Sequence, residues 1–250
     1  MKIKIILLLI LSNCILLSCG RKLHKNDLEK GNLNANIVSV KTTKYNVTEK
    51  FGEPVKGEKN CSDFLDICEN VTKYNSLGNQ IEFTDYNSYG ISFITKLKYN
   101  DKNQKIEQNR YTPVEGKRVM QFLSKYDSKG NCIEIVSDSG YNEKKEYDEN
   151  NNCTKKIIKY WKTGEDNIIT YFYNKNNEII IQEYSERKTE FKYDNNGNVK
   201  DIISYNKDGS LKKKESYTYR YDEHQNWTIE IEYENKVPIN YRERIIEYKK

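Results

Sequence analysis

Residues 125–133 read KYDSKGNCI and residues 192–200 read KYDNNGNVK. Each letter of these runs has a local physical role. A tyrosine ends a strand, and the Asp or Asn after it can accept hydrogen bonds from the backbone two residues on. Two polar residues then form the bend, followed by a residue that tolerates positive φ. Five further runs align with these two: KYNSLGNQI from Lys73, KYNDKNQKI from Lys98, EYDENNNCT from Glu146, FYNKNNEII from Phe172 and RYDEHQNWT from Arg220. Their tyrosines, Tyr74, Tyr99, Tyr126, Tyr147, Tyr173, Tyr193 and Tyr221, are spaced by 25, 27, 21, 26, 20 and 28 residues. That uneven spacing suits a sheet with elastic loops better than a strict solenoid. The position four residues after each tyrosine holds Gly78, Asn103, Gly130, Asn151, Asn177, Gly197 or Gln225. It is predicted to be the left-handed residue of a type I turn with a bulge. Gln225 alone is neither Gly nor Asn, which predicts strain or a different turn there.

A second bend recurs about half a unit later, in Tyr86-Asn-Ser-Tyr-Gly90, Tyr160-Trp-Lys-Thr-Gly164 and Tyr205-Asn-Lys-Asp-Gly209. Each unit is therefore a strand, a turn, a strand and a turn, and about seven tandem β-hairpins follow one another in an antiparallel meander. The strands alternate. Phe191 and Tyr193 share a face, as do Tyr217, Tyr219 and Tyr221; Trp227, Ile229, Ile231 and Tyr233 are expected to share one too. The fold class is all-β. A sheet of this length curls, and a half-barrel, a closed barrel and a sandwich with the tyrosine face inside all remain open.

Outside the repeats the chain changes character. Residues 1–20 read MKIKIILLLILSNCILLSCG, a basic start and a short apolar run ending in Leu16-Leu17-Ser18-Cys19. This is a signal-peptide layout, with an apolar run too short for a membrane span. The ending resembles the bacterial lipobox, which implies cleavage before Cys19 and acylation, palmitate-type chains included, of that cysteine; more than one chain gives a stable anchor. Residues 1–18 are thus read as a lipoprotein signal, 19–37 as a lipid-anchored flexible tether, 38–71 as an N-terminal cap and 72–250 as the repeat domain. Within the cap, residues 45–55 suit either a short helix ending at Gly52 or a cover for the first sheet edge. The 42 Lys and Arg nearly balance the 37 Asp and Glu, and charged residues make up 32% of the chain beside 21 Tyr. The charges alternate along strands, so they read as a solvated face and not as a nucleic-acid surface.

The Tyr-Asp-x-x-Gly-Asn pattern of Tyr126-Asp-Ser-Lys-Gly-Asn131 and Tyr193-Asp-Asn-Asn-Gly-Asn198 resembles the YD-repeat (RHS-like) family, from Tyr74 to the C-terminus. Asn226-Trp-Thr228 and Arg244-Ile-Ile-Glu-Tyr248 resemble the closing segment of its short Bacteroidetes-type lipoproteins. The resemblance implies a β-repeat fold and a cell-envelope setting, the outer membrane favoured, with the periplasmic or surface face open. Large members of the family enclose a toxin; this sequence shows no match to their processing segment or toxin domain.

No catalytic constellation can be assembled. His24 lies in the tether and His224 in a turn, and the acidic residues are scattered. Cys61 and Cys68, in CSDFLDIC, leave three readings open: a disulfide, two thiols or a metal site. Cys132 and Cys153 occupy the same slot of consecutive units, about 9.5 Å apart if one strand intervenes, beyond the reach of a bridge, and are expected to be reduced. No cofactor or metal is expected. The loop aromatics Tyr89, Trp161 and Tyr241 are the candidate ligand contacts. The expected function is a non-catalytic envelope lipoprotein presenting a β-repeat surface to a protein or glycan. The second reading is a structural or accessory partner, immunity- or chaperone-like, of a toxin or secretion system.

Overall fold

The structure is a computed structural model and describes residues 25–61, 66–160 and 166–250. The strands are β1 (Ile37–Lys50), β2 (Glu53–Lys59), β3 (Glu69–Tyr74), β4 (Gln80–Asn87), β5 (Gly90–Tyr99), β6 (Lys105–Tyr111), β7 (Arg118–Tyr126), β8 (Cys132–Ser137), β9 (Tyr141–Tyr147), β10 (Cys153–Tyr160), β11 (Asp166–Tyr173), β12 (Ile179–Glu183), β13 (Arg187–Tyr193), β14 (Val199–Asn206), β15 (Leu211–Tyr221), β16 (Trp227–Glu234) and β17 (Val237–Tyr248). All pairings are antiparallel. From β3 to β17 each strand pairs with the next, and β1 joins the two ends by pairing with β3 along one edge and β17 along the other. The result is a closed barrel of 16 strands with β2 as one extra.

This corrects the meander of about seven hairpins with an undecided curl. The seven units supply β3 to β16, but closure comes from strands outside them. Residues 45–55 form no helix, and the edge of the first repeat strand, β3, is covered by the earlier part of β1. Lys50 pairs with Glu53 around Phe51 and Gly52, both at positive φ, so the segment is the β1–β2 hairpin. The first part of β1 pairs on both edges, and no raw edge remains there to be capped.

Each of the seven turns has the same geometry. In the third, the Asp127 amide donates to the Asn131 carbonyl at 3.0 Å and the Gly130 amide to the Asp127 carbonyl at 3.1 Å. The other six repeat both bonds, and all seven left-handed positions have φ between 60° and 87°. Gln225, at φ 63°, makes the same turn as the rest. Asp222 Oδ1 accepts the amides of His224 and Asn226 there, the side-chain bracing that Asn or Asp provides in every unit.

Just past each turn the ladder skips one residue. That bulge decides which residues face inward. Tyr221 pairs with Trp227 and Arg220 with Ile229, so Thr228 is the extra residue. The strand is thereby turned over. Trp227 shares the inner face with buried Glu230 and Glu232, while Ile229, Ile231 and Tyr233 lie on the other face. The expected Trp227-Ile229-Ile231-Tyr233 stripe is therefore wrong by one bulge. The lumen is lined by polar groups among tyrosines, and the contiguous apolar cluster is small: Leu28, Leu33, Ile37 and Val40, with Tyr74, Ile246 and Tyr248 against it.

Outside, cross-strand ion pairs flank the turns of four successive units: Lys73–Glu82, Lys98–Glu107, Lys125–Glu134 and Lys155–Glu146.

Candidate functional site

The barrel has two mouths. At the first, the seven repeated turns form a rim stitched from unit to unit. The hydroxyl of each unit's tyrosine donates to a backbone carbonyl at the bulge of the preceding unit: Tyr99 to Gln80 at 2.7 Å, Tyr126 to Lys105 at 2.8 Å, Tyr147 to Cys132 at 2.7 Å, Tyr173 to Cys153 at 2.8 Å and Tyr193 to Ile179 at 2.8 Å. In the seventh unit Tyr219 takes over this bond, to Val199 at 2.6 Å, and Tyr221 donates to Asp194. Turn-end amides add a second ring, with Asn79 donating to Asn103, Asn131 to Asn151 and Asn152 to Asn177. Burial raises the pKa of Tyr126, Tyr147 and Tyr173 above the ordinary phenol value, so these hydroxyls stay protonated and donate.

Part of this mouth is covered by the chain's own N-terminal segment. Residues 19–24 of the expected tether, Cys19 among them, lie outside the described residues; residues 25–36 are folded against the rim. The helix α1 (Asp27–Lys30) opens with an Asn26 capping box. Asn26 also donates to the Leu77 carbonyl and the Leu28 amide to that of Gly78. Asp27 accepts the Gln80 amide at 3.1 Å, and its Oδ2 lies 2.6 Å from the Tyr99 hydroxyl, whose one hydrogen is shared between this carboxylate and the Gln80 carbonyl. Burial works to raise the Asp27 pKa, but the Tyr99 hydrogen bond, the Lys30 charge and the Gln80 amide hold it below the ordinary carboxylate value. The segment then crosses to the far side, where Asn32 donates to the Asn196 carbonyl and to Asn198. Asn34 exchanges two hydrogen bonds with Asn226, which is 0% exposed and also donates to the Tyr248 hydroxyl. Beside α1 remains a cavity of about 690 Å³ lined by Lys25, Asp27, Lys30, Lys105, Lys145 and the tyrosine ladder.

Farther along the inner wall, Arg242 is held by Glu230 and by Glu232 at 2.9 Å. Arg244 stacks on Trp227 at 3.4 Å, and its Nε and Nη1 are buried without a hydrogen-bond partner among the described residues. Burial brings its pKa down to about 10.

The second mouth carries a cleft of about 720 Å³ with mostly apolar walls, among them Ile67, Tyr89, Ile91, Phe93, Pro113 and Val114. Its polar groups converge. Asp85 is 4% exposed and meets the Arg110 guanidinium at 3.5 Å, and that guanidinium lies 4.7 Å from the Phe93 ring. Burial raises the Asp85 pKa against the pull of Arg110. Tyr89, 79% exposed, stands at the lip. Few convergent polar groups in an apolar concavity are the usual makeup of a ligand site.

Of the three candidate aromatics, Tyr89 lines this cleft, and Trp161 lies outside the described residues. Tyr241 is corrected: it is not on a loop but on β17, 8% exposed, edge-on to Tyr45 at 6.3 Å. A disulfide joins Cys61 to Cys68, and Cys132 and Cys153 are free thiols. Among the described residues no three His, Cys, Asp or Glu side chains converge to hold a metal ion. Asp85, Phe93 and Arg110 went unnoticed in the sequence because they come from three neighbouring strands, β4, β5 and β6, and meet only once the register is known.

No protein-family model matches the chain, and no curated protein matches it in sequence. Among solved structures, a porin-like protein from Bacteroides uniformis aligns with a TM-score of 0.53 at 14% identity, over 86% of this chain and 99% of that one. The Photorhabdus luminescens Tc holotoxin pore with a TccC3 mutation aligns with a TM-score of 0.38 at 12% identity, over 75% of this chain and 11% of that one. The TcdB2-TccC3-Cdc42 structure gives a TM-score of 0.38 at 11% identity, over 76% and 11%. The chain thus spans about a tenth of the toxin chains it aligns with, and what it shares with the Bacteroides protein is a fold.

Proposed function

We propose that this chain is a non-catalytic lipoprotein of the bacterial envelope, built from YD-type repeats, whose barrel presents the Tyr89 cleft to a protein or glycan. The observation that carries the reading is the cleft itself: an aromatic lip and apolar walls over a buried Asp85–Arg110 pair, at the mouth that the N-terminal segment leaves uncovered. The barrel wall fits water rather than lipid. Lys98 and Lys125, 63% and 68% exposed, sit on its outer face near the turns, and exposed Lys144 lies midway along β9 on that same face, where a charge facing the middle of a bilayer would cost about 2–4 kcal/mol. Membrane attachment is assigned instead to acyl chains on Cys19, with the outer membrane favoured.

Photo-crosslinking in intact cells from a reactive group at position 89 tests this. We expect capture of a discrete partner or glycan, about tenfold reduced by Arg110→Ala. Capture no stronger than from Leu211, an exposed residue away from the cleft, overturns the reading. A Cys19→Ala protein that stays membrane-bound without detergent overturns the anchor.

A further inference from the structure

Under the N-terminal segment the lumen holds an ammonium group that no carboxylate pairs with among the described residues. Four lysines, Lys25, Lys30, Lys105 and Lys145, line the 690 Å³ cavity there against one carboxylate, Asp27. Asp27 is already engaged by the Gln80 amide, the Tyr99 hydroxyl and Lys30. Lys145 is held by Glu143 at 2.9 Å. The tyrosine hydroxyls around them all donate to backbone or to Asp27. Lys105, opposite Tyr99 on β6, is different. Its carbonyl accepts the Tyr126 hydroxyl, while its ammonium has neither an ion pair nor a hydrogen bond among the described residues. Burial lowers its pKa, and the Lys30 and Lys145 charges do the same against the opposing pull of Asp27.

A half-buried cation without a partner, among like charges, is unfavourable, and an incoming anion removes both the desolvation imbalance and the repulsion. We propose that this cavity binds a small oxyanion, a carboxylate or phosphate group, seated on the Lys105 ammonium with Lys25 and Lys30 at the rim. The neighbouring tyrosine hydroxyls are occupied, so recognition rests mainly on charge and weakens with salt. The site is separate from the Tyr89 cleft and does not depend on what that cleft binds.

The test uses the full chain in detergent, with inorganic phosphate and succinate as probes. Lysines are acylated with an N-hydroxysuccinimide ester and read by peptide mass spectrometry. Either probe at about 10 mM should slow Lys105 labelling about threefold relative to chloride at matched ionic strength. Lys159, paired with Asp166 on the outer wall, serves as the reference and should not change. Protection by phosphate alone assigns a phosphoryl group, and by succinate alone a carboxylate. Lys105→Gln should abolish the protection that the probes give Lys25 and Lys30. Protection persisting in that variant overturns the proposal, and so does an unprotected Lys105 in the wild-type chain, a result that does not depend on the variant folding.

Discussion

At the covered mouth seven turns share one geometry, and their side chains reach from unit to unit. At the open mouth the described turns are mixed. Two-residue turns at Phe51-Gly52 and Asn235-Lys236 stand beside an excursion over 112–117 and a Gly209 turn. Equal geometry places each tyrosine and asparagine at the height where the next unit's acceptor lies, so repetition itself creates the lateral network. Irregular turns cannot form such a ring, but they leave space, and the Tyr89 cleft occupies it. One sheet thus has a rim specialised for cohesion and another free to vary.

The sharpest way to break this contrast is Asn226→Ala. It removes three side-chain hydrogen bonds from a fully buried position where turn, N-terminal segment and Tyr248 meet, and should cost about 3 kcal/mol in urea unfolding. Tyr126→Phe strips one hydroxyl from the ladder and should cost about 1–2 kcal/mol by the same measurement. At the open lip, Tyr89→Ala should stay within about 0.5 kcal/mol.

A matched pair isolates the contribution of the N-terminal segment. Gly78 and Gly209 sit at φ 79° and 82° in turns with the same hydrogen bonds. An added methyl at Gly209 meets nothing, whereas at Gly78 it comes within 2.6 Å of the Asn26 amide. Each Ala variant should lose about 1 kcal/mol to backbone strain. Gly78→Ala alone should also speed hydrogen exchange across residues 26–36.

Acid separates the mouths more gently. The folded pKa of Asp27 is depressed, so its contribution is present above the unfolded value of about 4 and is lost as pH falls through the folded one. Asp85 has a raised folded pKa, so stability is gained as pH falls through it. In thermal melts the deficit of Asp27→Asn should therefore shrink below about pH 4. Asp85→Asn should equal or exceed wild type at pH 7, with the difference closing in acid. Parallel pH profiles for the two variants would contradict the assignment.

The covered mouth was legible in the sequence because each of its letters answers a local backbone requirement. Asn or Asp braces the turn, Gly or Asn takes positive φ, and Gln225 shows that bracing alone suffices. Closure was not legible. β1 pairs with residues about two hundred positions away, and nothing in Ile37–Lys50 announces that partner. Nor did alternation reveal the inner face, since one extra residue, Thr228, reverses it for the rest of the strand. The cleft depends on both and so emerged only from the register.

The way β1 joins β17 also sets a timetable. The Lys249 amide donates to the Asn36 carbonyl at 2.8 Å, so the two ends of the ring lie side by side. A chain made from its N-terminus delivers one half of that join first and the other half last. Until β17 arrives, the growing sheet carries two unpaired margins, the condition in which β-proteins add strands from their neighbours. Closing so long a loop is slow to begin, although lengthening it further adds little to the cost. Nearly the whole chain must therefore be present before the molecule stops being adhesive to its own kind.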